Sequence, residues 1–326
     1  MTGFRPSLLE SVGFCLLWMT LIVLLTSGSA TAAPHMGFVH LAAPSASGAS
    51  LDASAGLFAE AARRHVQSRG IETVVAVATL HDAKQTIAAL AAQGVEILVV
   101  SSSCLFDAAR SVAPDYPDTL FFVRTDGAVP DTMSGYQIRS YEACYLAGVQ
   151  AASCLQAAVL AAQADEHAVK PPLEIRLSVP EKTPTSTAEA YRNRNAFALG
   201  VRSLVPDAHV VLTQGDAPSL EQLMLKAVAL NWNNVFASLL AQRRFGIWQG
   251  TGRTLWYGYD SGVIKVAQNA DANTLAAAQT LAQRSPFSGP LYDNTGTLRV
   301  PKGTVLSDAQ LIALDWYVAG ISVFPQ

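Results

Sequence analysis

The 326-residue chain is 50% hydrophobic and 14% charged, with 22 Lys and Arg against 25 Asp and Glu and a formal net charge of −3. That length suffices for one large or two medium domains with real cores. The charge balance offers no electrostatic case for nucleic acid, which favours basic patches, and the abundance of apolar residues argues against a disordered chain.

Residues 1–32 read as a secretory signal peptide. Arg5 is the only basic residue ahead of an apolar core at 14–25, and cleavage after Ala32 would satisfy the A-x-A pattern. The core is too short for a comfortable membrane span, which needs ~20 residues; retention as an uncleaved anchor is the alternative. No cysteine follows the small residues, so the usual lipoprotein attachment point is missing. The expected location is extracytoplasmic, in the periplasm or at the cell surface.

In chain order, 37–41 reads as a strand and 42–50 as a small-residue loop. Residues 51–69 carry a helical pattern stopped by Gly70, 73–77 a strand, and 82–93 a helix closed by Gly94. The apolar run 95–100 ends in Ser101–Ser103, a helix follows at 104–112, and a second run at 120–123 ends on Thr125-Asp126-Gly127. Alternating strands and helices predict a parallel sheet with right-handed crossovers. Strand 134–138 leads into a long Ala-rich helix at 141–164. Beyond it, strand 174–179, helix 187–204, strand 209–213 and helix 220–243 suggest a second lobe, with Asn231–Asn234 a possible break in the last helix. Extended segments at 256–259 and 263–266, a helix at 274–284, turns at 286–303 and a final helix at 308–320 complete the pattern.

Ligands of open α/β sheets sit just beyond the carboxyl ends of the strands, which singles out the serines after the third strand and Asp126 after the fourth. The chain has four cysteines. Cys15 lies in the signal; Cys144 and Cys154 lie on one helix ~15 Å apart, beyond the ~7 Å reach of a disulfide. At most one bridge can form, and it must use Cys104. The histidines are scattered and no pair has zinc spacing, so neither a metal site nor a cofactor is expected. No G-x-S-x-G elbow, Walker loop or ligand cluster supports catalysis.

Several stretches resemble the basic membrane protein (BMP) family of extracytoplasmic substrate-binding proteins, the group with Med-like and purine nucleoside receptors. Val112-Ala113-Pro114-Asp115-Tyr116-Pro117-Asp118 resembles the family's turn, and Tyr141-Glu142-Ala143-Cys144-Tyr145-Leu146-Ala147-Gly148 its long helix. Asn195-Ala196-Phe197-Ala198-Leu199-Gly200 with Pro206-Asp207, and the stretch from Pro286 to Gly320, resemble Med-like members. The resemblance implies a type I periplasmic-binding-protein fold, α/β, with two Rossmann-like lobes, a hinge and a central cleft closing on a small ligand. It divides the chain into the signal, a first lobe at 33–138, a second at 139–285 shortened near 217–230, and a C-terminal segment at 286–326 packing back across the lobes.

The implied ligand is a small polar metabolite, a nucleoside or nucleobase favoured, without chemical turnover. The implied partner is an ABC permease; membrane association would come only through an uncleaved N-terminal segment. The alternative is a diverged receptor that keeps the fold for a sensory or protein-interaction role. Candidate ligand-binding residues are Ser102, Ser103, Phe106, Asp126, Asp216 and Trp232.

The departures bear on chemistry. The loop at 44–50 lacks the family's Asp and aromatic residue, Ser103 stands where relatives place an aromatic, and no tryptophan accompanies Gln214–Pro218. Aromatic stacking is worth ~1–3 kcal/mol per base, so losing two or three partners would weaken purine binding about a thousandfold or more. Either the ligand differs, or Phe106, Tyr136 and Trp232 take over, or binding has decayed. Each candidate also has a structural role open to it: Asp126 as a turn-former, the serines as caps, Asp107 at a helix N-terminus, Trp232 as core. Asp260 fits a later family segment better than the ligand-contacting one. Arg139 and Glu142 flank a hinge-like segment and are expected to pair.

Overall fold

A computed structural model describes residues 36–42, 63–64, 66–67, 71–125, 127–165, 167–179, 187–247 and 252–323. The signal segment, the loop at 44–50, most of the helix expected at 51–69 and Asp126 lie outside the described residues.

The first half alternates as the apolar pattern predicts. It runs β1 (Met36–Leu41), β2 (Thr73–Ala78), α1 (Ala83–Ala91), β3 (Ile97–Val100), α2 (Phe106–Val112), β4 (Leu120–Arg124) and β5 (Met133–Ile138). The long helix α3 (Ser140–Ala164) follows, then β6 (Glu174–Ser178), α4 (Thr187–Leu204) and β7 (His209–Thr213). Next come α5 (Leu220–Ala227), β8 (Val228–Leu230), α6 (Asn233–Arg244), β9 (Thr254–Tyr257), β10 (Ile264–Val266) and α7 (Ala272–Leu281). The chain ends in β11 (Leu291–Tyr292), β12 (Leu298–Val300), α8 (Asp308–Ile312) and β13 (Ile321–Val323).

The larger sheet has strand order β2-β1-β3-β4-β5-β9, parallel throughout. Its central strands β3 and β5 are buried along their whole length, as expected when helices cover both faces of a parallel sheet. Alternation sorts the side chains: Phe38, Val99, Phe122 and Tyr136 enter one core, while Val39, Leu98, Val100, Phe121 and Val123 enter the other. The second sheet, β13-β7-β6, is also parallel, and β8 pairs antiparallel with β10. The chain therefore has the two-sheet α/β architecture of the type I periplasmic-binding-protein fold.

By length and composition α3 could cross a membrane. Its first half, from Ser140 through Val149, is nevertheless mostly buried in the protein core.

Three sequence-based expectations change. The helix expected at 220–243 breaks into α5, β8 and α6; a capping box of Ser219 and Gln222 starts α5. Helix α6 and strand β9, read from sequence as second-lobe, belong with the first sheet: Phe236 packs on Phe38 with ring centroids 6.1 Å apart, and β9 pairs with β5. The helix expected at 308–320 stops at Ile312. Beyond it the Asn195 side chain donates to Trp316 O at 2.8 Å and accepts from Val318 N at 3.0 Å. These bonds to a residue distant in sequence satisfy backbone groups that a helix would have paired internally, and the chain goes on to form β13. Cys104, Cys144 and Cys154 are all free thiols.

Candidate ligand-binding site

Parallel pairing puts the carboxyl ends of β1, β3, β4 and β5 side by side. Val39 is in register with Val100, Val100 with Val123, and Arg124 with Tyr136. His40, Ser101–Ser103 and Arg124–Thr125 therefore share one sheet edge, where ligands of such sheets bind.

The serines there are tied into the frame. Ser101 Oγ donates to Val39 O at 3.1 Å and lies 3.1 Å from His40 Nδ1, linking the ends of β3 and β1. Ser102 is buried and caps the turn Ser103–Leu105 by accepting from Cys104 N at 3.2 Å. Ser103 is half-buried, as is Phe106, which opens α2 with the Arg110 guanidinium 6.0 Å from its ring. Asp107 is exposed and pairs with Arg110 at 3.0 Å. Just past β4, Thr125 Oγ1 accepts from Gly127 N at 3.0 Å.

Trp232 and Tyr136 lie beneath this edge. Trp232 is only 3% exposed; its ring meets Tyr136 edge-on at 5.9 Å and lies 5.6 Å from Phe236 and 6.1 Å from Tyr257. Tyr136 stacks on Phe122 at 4.4 Å and donates through its hydroxyl to Val100 O at 3.3 Å. Asp216 is exposed in the turn leaving β7, on the other sheet. Ser102, Ser103 and Phe106 thus sit together, Trp232 supports the same edge from within, and Asp216 stands apart from them.

A buried polar network missed by the sequence reading joins the lobes at this edge. Arg124, the last residue of β4, pairs with Glu189 of α4 at 2.5 Å, with side chains 3% and 4% exposed. Ser140 Oγ donates to Asn193 Oδ1 at 2.9 Å and lies 3.5 Å from Glu189 Oε1. An arginine closing the apolar run Leu120–Val123 was the available signal, because a charge is buried there only with a partner.

The hinge also differs from expectation. Arg139 pairs with Asp260 at 3.0 Å and approaches Asp308 at 3.8 Å. Glu142 Oε2 instead accepts from Tyr259 N at 2.7 Å. Among the described residues no group of three or more His, Cys, Asp or Glu side chains is arranged to hold a metal ion. A cavity of about 370 Å³ lies away from this edge, between the last turn of α4 and the C-terminal segment. The Arg202 guanidinium on its wall donates to Pro206 O at 2.9 Å and Ala319 O at 2.5 Å.

A family model described as ABC transporter substrate-binding protein PnrA-like matches residues 49–217, a little over half of the chain. A purine-binding protein of Brucella abortus (strain 2308) is 23% identical over 298 residues, spanning 74% of this chain and 79% of that protein. The structure resembles an ABC transporter solute-binding protein of Aeropyrum pernix K1 at a TM-score of 0.50 and 13% identity, covering 86% of this chain and 84% of that one. It is also similar to a transcriptional activator of the comK gene from Bacillus halodurans, at a TM-score of 0.50 and 10% identity, covering 76% and 98% of the two chains.

Proposed function

The chain belongs to the Bmp family of ABC transporter substrate-binding proteins, and from that premise we propose that it is an extracytoplasmic receptor for a purine nucleoside or nucleobase. It binds without chemical turnover and delivers its ligand to an ABC permease or a sensor. The observation that carries this reading is the sheet edge itself: Ser101–Ser103 and Arg124–Thr125 end adjacent parallel strands, facing the α4 end of the second lobe. The similarity to a purine-binding protein supports the ligand class. Small hydroxyls at this edge suit the hydroxyl pattern of a nucleoside, with Phe106 available for stacking.

A thermal-shift panel of nucleosides and nucleobases tests the proposal. Ligand at 100 times its dissociation constant adds ~2.7 kcal/mol of stability, so a purine nucleoside should raise the melting temperature by several degrees. Folded protein whose melting point is unmoved by every purine would refute the ligand assignment.

A second reading, a diverged receptor that keeps the fold for sensing or protein interaction, is favoured by one observation. Arg124 and Glu189 neutralise each other at the strand edge where a ligand would bind, leaving less unsatisfied charge to recognise one.

A further inference from the structure

Two segments that cross between the lobes lie side by side. Residues 138–142 run from β5 into α3, and residues 257–263 leave β9 for β10. Arg139 N donates to Tyr257 O at 2.8 Å, the Arg139 guanidinium pairs with Asp260, and Glu142 Oε2 receives the Tyr259 N–H. A third segment, the start of α8, brings Asp308 to the same guanidinium. The approach is close enough that a Cβ on Gly258 would collide with the Glu142 carboxylate.

We propose that Arg139, Glu142 and Asp260 form a proton-linked clip at the hinge, and that the clipped arrangement holds a proton on Glu142 which an opened hinge releases. The inference rests on the two-lobed fold and is independent of which ligand, if any, the cleft binds.

The balance of forces at Glu142 gives the direction. The side chain is buried, with 9% exposure. Burial pushes its pKa up to about 7, against the Tyr259 N–H and the Arg139 charge, which favour the anion; Asp260 and Asp308 add repulsion that disfavours it. The neighbouring Tyr141 and Tyr257 phenols are held neutral by burial. If rotation of the lobes parts the first turn of α3 from the exit of β9, the carboxylate regains water, where its pKa is ~4.3. Between those values the clipped state binds a proton that the open state does not. Rising pH through 7 therefore favours opening, by about tenfold or more between pH 5.5 and 8.5.

Small-angle X-ray scattering of the ligand-free protein from pH 5.5 to 8.5 reads the lobe equilibrium directly. The radius of gyration should grow with pH and level off above about 7, its midpoint at or below that value. Glu142→Gln, which keeps an acceptor for the Tyr259 N–H without a charge, should stay compact throughout. Asp260→Asn removes a repelling charge and frees Arg139, so it should move the midpoint to lower pH. A flat wild-type profile overturns the proposal, and so does a pH transition that persists in Glu142→Gln. Should Glu142→Gln fail to fold by circular dichroism, the exposed Asp260→Asn variant decides, and an unmoved midpoint overturns the clip.

Discussion

Gly148 of α3 and Gly200 of α4 face each other where the two helices cross. A Cβ on Gly148 would collide with the main chain at Phe197, and one on Gly200 with the main chain at Tyr145. The reciprocal contact lets the helix backbones touch, and it sets the approach of the α4 turn that carries Glu189 and Asn193.

Alanine at either position gains ~0.5–1 kcal/mol of helix propensity but forces two backbones apart, at ~1–3 kcal/mol or more. Steric conflict with main chain cannot be relieved by a rotamer change, so crowding wins. Gly148→Ala and Gly200→Ala should each lower the urea midpoint with little change in slope. Either variant matching wild-type stability would show that the crossing is looser than the structure has it.

The Arg124–Glu189 pair should behave as a buried ion pair. Removing one partner, as in Arg124→Met or Glu189→Leu, strands the other and should cost ~3–5 kcal/mol. The double variant Arg124→Met/Glu189→Leu should recover most of that loss. Equilibrium unfolding of the three variants checks the cycle; additive losses would mean the pair is uncoupled.

Asp293 organises the β11–β12 hairpin. Its Oδ1 accepts from Thr295 N at 2.9 Å, Thr295 Oγ1 at 2.7 Å and Thr297 N at 2.9 Å, and its Oδ2 from Arg299 Nε at 2.7 Å. The Thr295 hydroxyl foremost, with Arg299 and the main-chain N–H groups, holds the carboxyl well below the usual carboxylate range despite the opposing effect of burial. A depressed folded-state pKa contributes stability above the unfolded value of ~3.9 and loses it as pH falls toward the folded value. Asp293→Asn should therefore melt lower than wild type at pH 7, with the gap closing below about pH 4. A gap independent of pH would place the effect in geometry alone.

Trp232 and Asp216 should separate cleanly. Trp232→Ala removes a buried ring from an aromatic cluster and should cost ~3–5 kcal/mol. Asp216→Ala, at an exposed turn, should stay within ~0.5 kcal/mol of wild type. Any loss of nucleoside affinity in Asp216→Ala then reports ligand contact and not folding. Unaltered affinity by calorimetry would remove Asp216 from the site.

The parallel sheet was readable because its information is local. Val95–Val100 and Leu120–Val123 are short apolar runs bounded by turn residues, and such runs become buried strands wherever helical patterns flank them. Ser102 was readable as a cap for the same reason, its acceptor serving an N–H two residues away. The pairing of Arg139 with Asp260 was not, because the two residues are 121 positions apart; proximity in sequence suggested Glu142 instead.

The same division runs through the whole protein. Sequence alone determined the alternating α/β pattern, the family resemblance and where the parallel strands end, since these depend on periodicity, turn chemistry and short motifs. Only the tertiary structure decided that β9 rejoins the first sheet, that the C-terminal helix stops at Ile312 so that Asn195 can hold Trp316 and Val318, and that Arg124 meets Glu189. Those outcomes depend on which buried polar groups find partners across long stretches of chain, a competition that is settled only when all of them are brought together out of water.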